Sequence, residues 1–82
     1  MSTSDTIRDY ITQEILHGAL KAPLNDQDPL IESGIIDSLG IMTLLAFLEE
    51  RFSIQIPSED LMPENFSSIS TIVALIERRL DN

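Results

Sequence analysis

The most promising chemistry in this sequence lies at a serine that follows an aspartate where a helix is predicted to begin. Within the run GIIDSLG (residues 34–40), Ser38 stands at the mouth of that helix, where backbone N–H groups and the helix dipole favour an anion. A phosphate ester on its hydroxyl would therefore be stabilised. Asp37 can cap the helix, and its carboxylate could help hold a divalent cation shared with an incoming pyrophosphate. An Asp-Ser pair is also typical of a plain helix cap, so both interpretations stand at this point.

The sequence lacks the residues that most other kinds of catalytic or metal site would need. The chain has no cysteine and one histidine, His17, which excludes a Cys nucleophile and zinc sites built from several Cys or His ligands. His17 is predicted to lie in the last turn of a helix, where the helix dipole favours a positive charge. No GxSxG elbow or phosphate-binding glycine loop occurs. The acids from Asp26 onward begin like a calcium loop, but Leu30, Ile31 and Asp37 occupy positions that need a ligand, a glycine and a glutamate. We expect no metal site. An enzyme would need a reaction run by carboxylates alone, and no paired acids in a cleft can be argued, so an enzyme ranks third among the possible functions and no catalytic residue is assigned.

The charge and length of the chain limit which partners it can bind and how many domains it can form. The 82 residues include 14 Asp and Glu against five Lys and Arg, a net charge of −9. Such a surface repels nucleic acid and anionic membranes and attracts basic partners, although acidity also simply keeps small proteins soluble. A hydrophobic content of 43% predicts a folded chain, with residues 1–82 forming a single domain. No secretory signal opens the sequence and no apolar run approaches ~20 residues, so we expect a cytoplasmic protein that does not insert into membranes. Separately, we expect a monomer that meets its partners transiently.

Apolar spacing predicts three main helices. The first covers about residues 4–16, behind capping-box spacing at Ser2 and Asp5 and ahead of Gly18. The second runs from Asp37 or Ser38 to about Arg51, and the last follows a cap at Ser67 or Ser68 and ends near Leu80. The core positions predicted by i, i+3, i+4 spacing are Ile7, Ile11 and Ile15, then Ile41, Leu44, Leu45, Leu48 and Phe52, then Ile69, Ile72, Val73, Ile76 and Leu80.

The connections complete an all-α prediction. A long loop, residues 19–37, joins the first two helices; its scattered apolar residues indicate that it is packed down, with Asp28-Pro29 opening one helical turn. A short helical turn is predicted over residues 57–62, with Ser58 as N-cap and Pro63 as its end. The alternating segment 52–56 has no strand to pair with. The expected fold is a four-helix bundle of three main helices and one short helix.

In this context, Asp37-Ser38-Leu39 at the start of the second helix resembles the acyl carrier protein family. So do LIESGII in the long loop (residues 30–36), LEERFSIQI at the end of the second helix (residues 48–56), and the last helix (residues 69–80). The resemblance covers nearly the whole chain and keeps the order and spacing of the elements. It implies an acyl-carrier-protein-like bundle.

The resemblance also implies a function. A phosphopantetheinyl transferase would move 4'-phosphopantetheine from coenzyme A onto Ser38 with the help of magnesium, and the arm's thiol would supply the nucleophile that this chain lacks. A ligase would load an amino acid or acyl group as a thioester, and a downstream enzyme would accept it. The protein itself would catalyse nothing. The rival interpretation is an unmodified acidic helical interaction module, in which Asp37-Ser38 is only a cap.

The residues after Ser38 bear on the cargo. The fatty-acid branch usually reads Asp-Ser-Leu-Asp with further acids early in the second helix, whereas Gly40, Ile41, Met42 and Thr43 follow Leu39 here. The run GIIDSLG looks more like the stand-alone aminoacyl carriers, including D-alanyl carriers. Aminoacyl cargo is therefore favoured over the acyl cargo of fatty-acid or polyketide carriers. Tight core packing also predicts little internal cavity, which suits a cargo that stays outside.

The second helix carries a further face, away from its core stripe, that is apolar or acidic. We expect this face to dock partner enzymes, with charge reversal at its two glutamates weakening transfer and leaving the fold intact. The alternative is that its apolar residues cover Ile35 or Ile36 of the loop. Phe47 fits neither stripe and has no predicted place. The docking face comprises Leu39, Met42, Ala46, Glu49 and Glu50.

Overall fold

The computed structural model describes residues 2–15 and 24–80, and this part of the chain is helical and without strands. None of its helices is long and apolar enough to cross a membrane. The all-α prediction is confirmed, with the short helix present as two separate 3-10 turns. The elements are α1 (Thr3–Tyr10), a π-helical turn (Ile11–Ile15) that continues it, α2 (Ser38–Phe52), the 3-10 turns Ser58–Asp60 and Pro63–Phe66, and α3 (Ile69–Leu80).

The first helix begins with the predicted capping box. Ser2 Oγ accepts the Asp5 N–H at 3.1 Å, and Asp5 Oδ2 accepts the Ser2 N–H at 3.4 Å. Arg8 pairs with Asp5 at 2.6 Å and also with Asp26 in the loop, which ties α1 to that loop. The Arg8 guanidinium, with help from Ser2, holds the pKa of the Asp5 carboxyl below its ordinary value. The predicted stop at Gly18 and the place of His17 lie outside the described residues.

The core lies between α1, α2 and α3, where most of the predicted stripe residues are buried. Four of the stripe residues are only half-buried, although they pack against the core: Ile15, Ile41, Phe52 and Val73. Leu80 was wrongly assigned, because at the last turn of α3 it is 53% exposed, and the buried Leu75 was missed. The helices contribute Ile7, Ile11, Leu44, Leu45, Leu48, Ile69, Ile72, Leu75 and Ile76, and the connections contribute Leu24, Leu30, Ile36, Ile54, Ile56 and Phe66.

The described part of the long loop, residues 24–37, is packed down, as expected. Leu24, Leu30 and Ile36 are buried, and two backbone hydrogen bonds fasten the loop to the entry of α3: Leu30 N–H to Ser67 O at 2.8 Å and Ser70 N–H to Asp26 O at 3.0 Å. After Asp28-Pro29 the chain makes a turn closed by Ser33 N–H to Pro29 O at 3.1 Å. The loop therefore brings Ile36, and the start of α2 after it, to a defined position.

The segment after α2 is held by a glutamate. Ser53 ends the helix in the left-handed conformation (φ 54°), and Glu49 Oε2 then accepts the Ile56 N–H at 2.9 Å. In the next turn, Pro57 takes the N-cap position without a side-chain hydrogen bond, so the prediction of Ser58 as N-cap was wrong. Pro63 does not merely end that turn, because it is the first residue of a second one, where its fixed φ and missing N–H cost nothing.

Phe47, unplaced by the sequence pattern, stacks on Tyr10. The two ring centroids lie 3.9 Å apart and the rings are inclined by 12°. Partial burial, and to a lesser extent the nearby Glu14 carboxylate, raise the pKa of the Tyr10 phenol. This stack joins α1 to α2 on the flank of the bundle and helps fix how the two helices lie.

Candidate functional site

The start of α2 is capped by Asp37 and not by the serine. Asp37 adopts an extended backbone (φ −111°, ψ −173°), and its Oδ1 accepts the Gly40 N–H at 2.8 Å. Its carbonyl accepts the Ile41 N–H at 2.9 Å. Because Asp37 takes the capping position, Ser38 becomes the first residue of the helix. Its side chain is exposed, and its hydroxyl makes no hydrogen bond within the described part of the chain.

The electrostatics of this helix end suit an added anion. The first turn of α2 contains no acidic residue, so within that turn nothing negative opposes the unpaired N–H groups and the positive end of the dipole. Among the described residues no cluster of three or more His, Asp or Glu could hold a metal ion. Asp37 could therefore contribute to a cation only together with oxygens brought by an incoming pyrophosphate.

Gly40 lets the end of the first helical segment approach α2 closely. A Cβ placed on Gly40 would lie 3.0 Å from Ile36 Cγ1, 3.3 Å from Asp37 Oδ1 and 3.8 Å from Ile15 Cγ2. Beside it runs an open surface groove of about 200 Å³, which we call the α1–α2 groove. None of the described, fully buried core residues lines it, so it is a feature of the surface and not a tunnel into the bundle. Its lining consists of Glu14, Ile15, Asp37, Leu39, Gly40 and Thr43.

The residues predicted to dock partners do not all behave alike. Leu39 is 75% exposed and Met42 57% exposed, so neither covers the loop; Ala46 and Glu50 are exposed as well. Glu49 is half-buried, and its carboxylate holds the Ile56 N–H. Charge reversal at Glu49 would therefore disturb the fold, contrary to the expectation from the sequence. That this face docks partners stays a prediction.

Sequence reasoning missed the α1–α2 groove. Glu14 and Ile15 belong to the first helical segment, and only the folded chain brings them beside the start of α2. The one available signal was Gly40, because a glycine in the first turn of a helix indicates that another segment approaches closely. In the sequence analysis Gly40 was noted only as a difference from the fatty-acid branch.

Comparisons with known proteins show what this chain is similar to. The model of the family described as "Phosphopantetheine attachment site" matches residues 6–76. A probable acyl carrier protein, PigG, from Serratia sp. (strain ATCC 39006) is 35% identical over 69 residues, 84% of this chain and 78% of its own length. The D-alanyl carrier protein of Leuconostoc citreum (strain KM20) is 32% identical over 66 residues, 78% of this chain and 85% of its own.

A solved structure shares the fold. It is described as "Crystal structure of FAD-dependent dehydrogenase", and one of its chains superposes with a TM-score of 0.77 at 34% identity. The match covers 85% of this chain and 97% of the other. The solved chain is thus hardly longer than the part of this protein that it matches.

Proposed function

This chain belongs to the phosphopantetheine-attachment-site family of carrier proteins, and we propose that Ser38 is the residue that bears its arm. As a member of that family it carries covalent 4'-phosphopantetheine and presents acyl or aminoacyl groups to partner enzymes as thioesters. The observation that supports Ser38 is its exposed, unengaged hydroxyl in the first turn of α2, beside an aspartate that has taken over the capping.

The residues of this chain have limited tasks in the attachment. The Ser38 hydroxyl oxygen would form the bond to the arm's phosphate while the pyrophosphate bond of coenzyme A breaks and adenosine 3',5'-bisphosphate leaves. The first-turn N–H groups would stabilise the resulting phosphodiester anion. Asp37 keeps that turn in place and can share the cation that accompanies the incoming pyrophosphate. The base that takes the serine proton belongs to the transferase. Once attached, the arm provides a thiol, which this cysteine-free chain does not have.

The intact mass of the protein tests this proposal. Wild type and Ser38→Ala are incubated with coenzyme A, magnesium and a broad-specificity phosphopantetheinyl transferase. We expect wild type to gain the mass of one arm and Ser38→Ala to gain none. Circular dichroism of both proteins checks that the variant is folded. A folded wild type that gains no mass would favour the rival, an unmodified acidic interaction module.

For the cargo, we favour an amino acid loaded by an amino acid ligase. The run GIIDSLG and the neutral first turn of α2 support this, as does the similarity to D-alanyl carrier proteins. The similarity to a probable acyl carrier protein supports the alternative, acyl cargo of the fatty-acid or polyketide type. The arm-bearing protein should be loaded by an ATP-dependent D-alanine ligase in preference to an acyl ligase. Faster loading by the acyl ligase would reverse the assignment.

We also propose that one downstream partner is an FAD-dependent dehydrogenase. The support is the solved structure described by that name, which contains a chain of this fold and nearly this length at 34% identity. Such an enzyme would remove two hydrogen atoms from the tethered cargo, one as a proton and one as a hydride to FAD, leaving a carbon–carbon or carbon–nitrogen double bond and reduced flavin. Loaded protein that loses two hydrogens by mass while the flavin bleaches would support this partner. Intact cargo with oxidised flavin, tested across several amino acids, would contradict it.

The docking face supports encounters with such enzymes. Leu39 and Met42 are the two most exposed large hydrophobic residues of α2 and lie within five residues of Ser38, and Glu50 adds an exposed charge farther along the helix. We expect Glu50→Lys to slow transfer to a basic partner and to weaken its salt dependence. Glu77→Lys, an equal charge change on an exposed position of α3, is the matched control. Equal rates for both variants at low salt would remove Glu50 from the face.

The remaining expectations concern the whole chain. We propose that residues 1–82 act as one carrier domain, as a cytoplasmic monomer that catalyses no reaction itself. The match of residues 6–76 to one family supports the single domain. Sedimentation at several concentrations tests the monomer, and cell fractionation tests the location.

A further inference from the structure

The α1–α2 groove lies directly beside the proposed attachment residue. Asp37 and Leu39, the neighbours of Ser38 on both sides, belong to its lining, together with Gly40. An arm attached to Ser38 therefore starts between two residues of the groove lining.

The lining combines acidic and apolar groups. Glu14 and Asp37 contribute carboxylates, and both are exposed. Ile15, Leu39 and Gly40 contribute apolar surface, and among the residues that the structure describes no lysine or arginine belongs to the lining. This combination favours a small group that carries a positive charge on a short apolar body, and it disfavours an anionic group.

The size of the groove limits what it can hold. Its volume of about 200 Å³ corresponds to some seven water molecules at ~30 Å³ each. That is enough for a small amino acid and the sulfur end of the arm, and too little for a long acyl chain. It is also below the ~300 Å³ at which pockets usually bind small molecules well, so occupancy would be brief, as a carrier needs.

Gly40 connects the groove to the choice of cargo. Even a Cβ at this position would approach Ile36 Cγ1 to 3.0 Å and Asp37 Oδ1 to 3.3 Å. The aspartate usual at this place in the fatty-acid branch would therefore have to displace Ile36 or Asp37, of which Asp37 belongs to the groove lining.

From these observations we infer that the α1–α2 groove is a transient docking site for the protonated amino group of an aminoacyl cargo on the Ser38 arm. Glu14 and Asp37 attract the ammonium, and Ile15 and Leu39 contact the side chain. The inference rests on the proposed function and adds to it a residue, Glu14, that distinguishes aminoacyl cargo from neutral acyl cargo.

The test uses amide chemical shifts of the modified full-length protein. Three arms are installed on Ser38: the free thiol arm, a D-alanyl arm linked through a stable amide, and the same arm with its amino group acetylated. We expect the D-alanyl arm to shift the amides of Ile15, Gly40 and Thr43 and the acetylated arm to shift them much less. Because an exposed ion pair is weak, Glu14→Gln should lower occupancy about two- to five-fold, whereas the matched Glu77→Gln should not.

The outcomes separate this inference from the proposed function. Equal shifts with the charged and acetylated arms, or full shifts in Glu14→Gln, would overturn the groove as an ammonium site and leave Ser38 as the attachment residue. Failure to attach any arm to Ser38 would instead overturn the proposed function itself, and this inference with it.

Discussion

The helices α2 and α3 both begin near a serine, and the side chains of these two serines are used differently. At the start of α3, Ser68 is 7% exposed and its Oγ accepts the Thr71 N–H at 3.3 Å, while Thr71 Oγ1 accepts the Ser68 N–H at 3.1 Å. At the start of α2, Asp37 makes the corresponding bond to Gly40, and Ser38, one residue later, is exposed with its hydroxyl unengaged in the described structure.

The difference shows what an aspartate before a serine achieves. Both helix ends offer N–H groups to an anion, so the helix dipole alone does not distinguish them. What distinguishes them is which side chain satisfies the first turn. Where the serine is the cap, its hydroxyl is committed to the backbone; where the aspartate is the cap, the serine hydroxyl is available to an enzyme.

The stability of the two alanine variants would test this contrast with the largest expected effect. Ser68→Ala removes a cap and should lower the free energy of unfolding by about 1 kcal/mol, within ~0.5–2. Ser38→Ala removes no bond to the described residues and should stay within about 0.5 kcal/mol of wild type. Urea denaturation measures both. A loss at Ser38 as large as at Ser68 would show that Ser38 has a structural role after all.

Two substitutions at Asp37 sharpen the comparison, because they separate its role as a helix cap from the effect of its negative charge. Asp37→Ala should cost about 1 kcal/mol, because the Gly40 N–H loses its acceptor. Asp37→Asn keeps an acceptor oxygen and should cost less, yet it removes the charge that can share a cation, so arm transfer should slow. Denaturation and the rate of mass gain are measured on the same samples. Full transfer by the asparagine variant would leave Asp37 with capping alone.

Gly40→Ala sets helix propensity against packing at the same helix start. Alanine should gain roughly 1 kcal/mol over glycine in a helix, whereas the contact of its Cβ with Ile36 at 3.0 Å should cost ~1–3 kcal/mol. We expect a net loss of about 1 kcal/mol by denaturant unfolding. A gain in stability would mean that the floor of the α1–α2 groove yields easily.

The smallest expected effect concerns the stack that joins α1 to α2. Burial raises the pKa of Tyr10 above its ordinary value of 10.0, so the folded state holds this proton more tightly than the unfolded chain. The contribution of the protonated Tyr10 phenol to the free energy of unfolding is fully present below about pH 10. It is lost as the pH rises through the raised pKa of the folded state. Tyr10→Phe keeps the ring and should flatten this alkaline decline in the unfolding free energy. If the unfolding free energy of Tyr10→Phe falls at alkaline pH as much as that of wild type, the fall is caused by other groups.

Periodic features of the fold were predictable from the sequence, because they depend on neighbours along the chain. The capping box at Ser2 and Asp5 is confirmed, and the predicted bounds of α2 and α3 agree with the structure to within about two residues. The choice of Ser38 also came from local pattern, supported by the order of elements around it. Leu80 was misassigned because a fixed spacing was continued to the end of α3, and the buried Leu75 was missed because that spacing skips its position.

Features that depend on contacts between distant segments were not predictable. Glu49 looked like a surface charge on a helical wheel, and only the return of the chain after Ser53 brings the Ile56 N–H to its carboxylate. Phe47 found its place only through Tyr10, on another helix. The α1–α2 groove likewise needs the folded positions of Glu14 and Gly40.

Fragmentation mass spectrometry of the arm-bearing wild type tests the central claim most directly, because it identifies which hydroxyl carries the phosphodiester without relying on a variant. The account predicts the arm on Ser38 alone, with Ser68 and every other serine unmodified. An arm located on any other residue, or distributed among several, would contradict the claim that the Asp37 cap is what makes one serine of this chain available.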